Sequence, residues 1–274
     1  MLPALVLAGV FAAGCGSAQP APRTTACTEP QPTGPVEMSF VGRAALEERV
    51  LRAGLRTGLE SREGCFQEQL ERDLLMLHAT YYDHGYLTAQ IAPPEVTTTA
   101  DGTRLTVRIT EGKQFAAGTI AVRELGPNGV EVEPLMGRQR AREMLRLSSG
   151  QTFRRHLMAA DLATVIRAYR DAGYADAEAN PAIELDEQRA TADVDVVIRR
   201  GLVVHIERVE IHGARAQESV RAQIVLKESD SFSETKLEQS LDRLRASKRF
   251  ARIDAALLPG SAPDRRVLSI EVQE

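Results

Sequence analysis

Tryptophan is absent from this 274-residue chain, and aromatic residues make up only 4% of it. Bases therefore find no stacking platform. Lysine is scarce too, present only at Lys113, Lys227, Lys236 and Lys248, with arginine carrying the remaining positive charge. A net charge of −4 with intermixed signs leaves no basic face, so nucleic acid is not expected as a partner. The longest apolar run, residues 2–13, is too short to span a bilayer as a helix. His78, His84, His156, His205 and His212 are dispersed, and no cysteine or carboxylate set completes a metal site around them. The chain has no Gly-x-Ser-x-Gly elbow, no phosphate-binding loop and no dinucleotide fingerprint. The expectation is a protein that works by contact, without catalysis, cofactor or metal.

What is present is a repeat. Gly150-Gln151-Thr152-Phe153 leads into a helical pattern to Tyr169, followed by Asp171-Ala172-Gly173-Tyr174. An earlier copy runs from Cys65-Phe66 to Tyr81-Tyr82, then Asp83-His84-Gly85-Tyr86. A worn third copy runs from Ser231-Phe232 to Ala246, then Ser247-Lys248-Arg249-Phe250. The opening Phe and closing aromatic lie 20, 21 and 18 residues apart, and equivalent positions recur every 76 to 88 residues. Leu157, Leu162, Val165, Ile166 and Tyr169 share one helix face, as do Leu70, Leu74, Leu77 and Tyr81, and Leu237, Leu241 and Leu244. Phe66, Phe153 and Phe232 are each expected to plug a small core. Gly85 and Gly173 fall where a helix ends and positive φ is wanted, with Tyr86 and Tyr174 packing back beneath it. The third copy carries Arg249 at that point, so its turn must differ. Asp83 and Asp171 read as turn or cap residues.

Around each helix the pattern is strand, helix, helix, strand, strand. Residues 36–113, 114–201 and 202–274 form three such modules, each a small three-stranded sheet with two helices on one face, an α+β design. In the first, Pro93-Pro94 interrupts the second strand (87–97) and confines it to a sheet edge. In the second, a Gly-Pro-Asn-Gly connector (126–129) follows the first strand. Glu111-Gly112 reads as a strand terminator. Residues 1–14 read as a signal peptide and residues 15–35, rich in Gly, Ser, Ala, Thr, Gln and Pro, as a tether. Ala12-Ala13-Gly14-Cys15 resembles a bacterial lipobox, which would make Cys15 a lipidation site; an ordinary cleaved signal is the alternative. Cys27 and Cys65 are a plausible disulfide pair in an oxidising compartment, closing a loop that stabilises by roughly 3–4 kcal/mol.

The ordered set of Gly-x-x-Phe, Tyr-x-x-Gly-Tyr and Glu-Gly, recurring across residues 36–274, resembles the POTRA family, the tandem periplasmic modules of outer-membrane assembly factors. The resemblance implies a scaffold at the periplasmic face of the outer membrane. It implies outer-membrane β-barrel proteins or their unfolded precursors as clients, and other assembly subunits or a partner barrel as neighbours. The membrane would be reached through a lipid anchor or through a barrel following these modules, which the sequence leaves open. Clients would add as strands along the second strand of a module. In modules two and three that edge comprises Ala177, Ala179, Ile183 and Leu185, and Ile253, Ala255 and Leu257; the prolines disfavour module one. Two rivals remain: a secretion component that recognises an exported passenger, and a structural lipoprotein that only docks a barrel.

Overall fold

Alternating and helical apolar patterns translate into elements along the whole repeat region. The structure, a computed structural model, describes residues 32, 34–56 and 65–274. Cys15 and Cys27 lie outside these residues. Cys65 is disulfide-bonded.

In module one, β1 (Val36–Val41) is followed by α1 (Glu48–Arg52), α2 (Phe66–Asp83), β2 (Gln90–Ile91), β3 (Glu95–Thr99) and β4 (Gly102–Thr110). Module two has β5 (Ala116–Leu125), β6 (Glu131–Val132), α3 (Arg138–Glu143), α4 (Arg155–Asp171), β7 (Glu178–Asp186) and β8 (Thr191–Arg199). Module three has β9 (His205–His212), α5 (Gln217–Arg221), α6 (Glu234–Ala246), β10 (Arg252–Pro259) and β11 (Arg265–Gln273). In every sheet the last strand is central. The first strand lies parallel to it on one side, and the second lies antiparallel on the other.

The strand-helix-helix-strand-strand plan holds, but two sheets gain a segment. Pro93-Pro94 splits the second strand of module one into β2 and β3, both paired with β4, so the break is local to the prolines. In module two the long connector folds back and adds β6 to β5. That short strand has no alternating pattern to announce it.

Three separate cores follow the predicted helix faces. Leu70, Leu77 and Tyr81 are buried in the first, Leu162, Val165, Ile166 and Tyr169 in the second, and Leu244 in the third. The cores are not sealed module by module. Leu87, just past the turn of module one, is buried in the core of module two, and Ala175 of module two is buried in that of module three. This explains why the three phenylalanines differ. Phe153 and Phe232 keep 1% and 2% of their surface, walled in by the preceding module's turn. Phe66, the first residue of α2, is only half-buried against its own core.

Candidate functional site: open strand edges on a locked frame

A sheet whose central strand is already paired on both sides offers binding only at its outer strands. In module two, β7 pairs with β8 and with no other strand among the described residues. Pro181 lies inside that unbroken ladder. A proline facing β8 would leave a gap in the bonding, so its nitrogen faces outward, where an edge tolerates it. By the two-residue period, the backbone N–H groups of Ala179, Ile183 and Leu185 face outward with it. Their side chains point inward against the core, while Glu178, Asn180, Ala182 and Glu184 present the solvent face. In module three, Gly260 N–H donates to Arg265 O at 3.0 Å, which orients the even-numbered residues of β10 toward β11. Ile253, Ala255 and Leu257 therefore turn their backbone outward and their side chains toward the core.

Ala177 departs from expectation. It precedes β7, is fully buried, and its N–H donates to Tyr174 O at 3.0 Å. It belongs to the turn and offers no edge group. In module one, β3 beyond the prolines has all five residues exposed, so that edge is shortened but present.

These edges are fixed in space by hydrogen bonds between modules, and the repeat motif supplies them. At the first junction Phe115 N–H donates to Gly85 O at 2.8 Å, and Phe153 N–H donates to Phe115 O at 3.0 Å. At the second, Val204 N–H donates to Gly173 O at 2.8 Å, and Phe232 N–H to Val204 O at 2.9 Å. Gly85 and Gly173 have φ of +85° and +101°. A Cβ on Gly173 would also sit 2.9 Å from Val203 Cγ1 of the next module. Glycine is needed at both turns for conformation and for contact.

The aspartates of the motif cap helices of the following module. Asp83 Oδ1 accepts from His156 N–H at 2.8 Å in the first turn of α4, with Arg155 3.3 Å away. Asp171 accepts from Ser233 Oγ (2.8 Å), Thr235 N–H (2.8 Å) and Thr235 Oγ1 (2.7 Å) at the start of α6. Burial pushes the Asp171 carboxyl upward, but the bonds from Thr235 and Ser233 and the nearby Arg167 outweigh it and hold it below its ordinary value. Arg167 pairs with Glu238 and Arg170 with Glu234 across the same junction.

Within modules, further carboxylates fasten the first helix. Tyr81 Oη donates to Glu111 at 2.9 Å, and Glu111 also accepts from Ala45 N–H at 2.9 Å. Glu111 is thus a clamp as well as a strand terminator. Burial raises its carboxyl and these bonds more than offset that, leaving it below the usual range. In module two Tyr169 donates to buried Glu124, which accepts from Leu135 N–H at 2.8 Å and pairs with Arg200. Burial and the adjacent glutamates push both tyrosines well above the ordinary phenol range. Among the described residues no group of three or more His, Cys, Asp or Glu could hold a metal ion, and no helix is long and apolar enough to cross a membrane.

The POTRA family model, described as a surface antigen variable number repeat, matches residues 37–112 and 137–201. The chain belongs to the POTRA family. It is similar to the outer membrane protein assembly factor BamA of Nitratidesulfovibrio vulgaris, 29% identical over 216 residues, which is 76% of this chain and 26% of that protein. A putative outer membrane protein assembly factor of Treponema pallidum is 26% identical over 249 residues, covering 86% of this chain and 29% of that protein. The chain thus spans little more than a quarter of the length of these curated relatives. Among solved structures, POTRA3-5 of Haemophilus influenzae BamA superposes with a TM-score of 0.73 at 20% identity, covering 89% of this chain and 97% of that one. The likeness fixes the fold of three successive POTRA modules, including the third, which lies beyond the residues matched by the family model.

Proposed function

We propose that this chain is a periplasm-facing scaffold at the outer membrane that assists assembly of β-barrel proteins by holding their extended segments. The observation that carries the reading is the pair of outward-facing backbone rows on β7 and β10. Each belongs to a long second strand with no strand on its outer side among the described residues and with the side chains of that row turned to the core. Main-chain bonds at such an edge accept many client sequences, because only backbone groups are read. Unfolded barrel precursors are rich in segments able to form strands, and they are the partner class this edge fits. The reading is consistent with the chain's similarity to outer membrane protein assembly factors. The work asked of the chain is binding and positioning.

Ile183→Pro tests this. Ile183 shares its outward orientation with Pro181, so a second proline there removes an edge donor and leaves the bonds to β8 intact. Capture of a strand-forming barrel peptide by module two should be lost while the circular dichroism spectrum is retained. Unchanged capture by module two would count against the reading.

A further inference from the structure

Each joint has a receiving side, and its geometry recurs. In module two Thr152, the residue before Phe153, lies against the turn of module one: a Cβ on Gly85 would sit 2.9 Å from Thr152 Cγ2. In module three Ser231, the residue before Phe232, holds the same place, 3.6 Å from where a Cβ on Gly173 would lie. Both residues also bridge to the start of their module's first strand, Thr152 to Ala116 and Ser231 to His205. The receiving side is therefore one spot, made by the residue before the Phe and by the chain entering the first strand.

In module one the residue before the Phe is Cys65, the N-cap of α2. Thr152 and Ser231 meet a glycine turn by contact alone, whereas Cys65 is disulfide-bonded at the same place. The sequence contains two other cysteines, Cys15 and Cys27. Cys27 stands eight residues before Pro35, and β1 begins at Val36. By the bridges of the other two modules, the chain entering β1 runs beside Cys65. The stretch 28–35 extends to about 28 Å at most, more than a return to a neighbouring position needs. It reads Thr-Glu-Pro-Gln-Pro-Thr-Gly-Pro, and its three prolines have no N–H to offer as a further sheet edge.

We propose that residues 27–35 cap the receiving side of module one, fastened by a Cys27–Cys65 disulfide, in the place that a preceding module's glycine turn takes in modules two and three. The bond forms by thiol–disulfide exchange: the two protons and two electrons of the Cys27 and Cys65 thiols pass to a donor disulfide of an oxidising compartment, leaving it as two thiols. A single polar strap covers less than a module's turn does, and Phe66 is half-buried where Phe153 and Phe232 are closed off. Arrays of stacked modules need a polar terminal cap. This cap also keeps the receiving side from taking the turn of a second copy.

Mass spectrometry and magnetic resonance of the full chain test this together. Trypsin digestion of the unreduced, alkylated chain, taken at monomer mass, should yield residues 24–43 joined to residues 63–72. In the isotope-labelled chain, nuclear Overhauser contacts should link the Phe66 ring to residues 28–34, and Cys27→Ser should abolish them. In the same variant, hydrogen exchange at Gln69, whose N–H donates to Cys65 O at 3.0 Å, should quicken about tenfold, with Phe153 and Phe232 amides unchanged. Two free thiols, Cys65 joined to Cys15 or to another molecule, or a bonded chain without contacts to the Phe66 ring would each overturn the proposal. Digest and contacts are read on the wild-type chain, so they decide it even where Cys27→Ser does not fold.

Discussion

At the residue scale, the motif positions serve the joints more than the modules that carry them. Asp171 ends α4 yet satisfies the first turn of α6, and Ser233, the N-cap of α6, both receives Lys236 N–H and donates to Asp171. A carboxyl held below its ordinary value when folded stabilises fully above its unfolded value, near 3.8, and loses that contribution as pH falls through the lower folded value. Asp171→Asn should therefore lower the melting temperature at pH 6, and the gap from wild type should narrow as pH falls below 3.8 and through the lower folded value. Differential scanning calorimetry across that range reads it. The sequence marked Asp83 and Asp171 as turn or cap residues without revealing that they cap a helix of the next module, because the capped helix begins more than 60 residues later. The worn third turn was legible only to within one residue. Lys248, not Arg249, takes the left-handed conformation at φ +53°, and Phe250 follows one position late. Lys248→Gly should relieve that strain and stabilise module three by about 1 kcal/mol, measured by urea unfolding.

At the scale of elements, periodicity found the long pieces and missed what depends on contacts across the module. The apolar pattern reads a helix over 234–246 and a strand over 191–199, which are the bounds of α6 and β8, whereas α1 and α3 are shorter than the stretches 44–55 and 134–147 that the pattern marks for them. Short first helices are held by side chains of the second. Arg56 N–H donates to buried Asp73, Arg146 N–H to buried Asp161 and Val225 N–H to buried Ser240. Those three polar residues sit among apolar helix positions, and in the sequence they read as breaks in amphipathicity; a recurring polar residue seven or eight positions after the opening Phe was the available signal. The edges divide the same way. Pro93-Pro94 and the inward alternation of β7 and β10 could be read directly, but the outward orientation of Pro181 and the closure of β5 by β6 needed the pairing register.

At the scale of the whole molecule, the two junctions are built from one set of bonds, glycine carbonyl to first strand and first strand to the Phe of the next helix. The second junction adds Arg167–Glu238, Arg170–Glu234 and Arg266–Asp176. A frame locked in this way keeps the β7 and β10 edges at a fixed separation, so a long client engaging both gains effective concentration at the second. The Phe, Gly and Tyr of the repeat made the modularity legible. Phe115 did not stand out, although it is fully buried and carries the first junction, because it lies between two patterns and belongs to neither. The central claim, that clients add as strands along β7 and β10, is tested most directly by residue-resolved hydrogen exchange of the full chain with and without an unfolded barrel precursor. The account predicts slowed exchange at the outward amides of Ala179, Ile183, Leu185, Ile253, Ala255 and Leu257. Client binding that leaves those six amides exchanging at their free rates would contradict it.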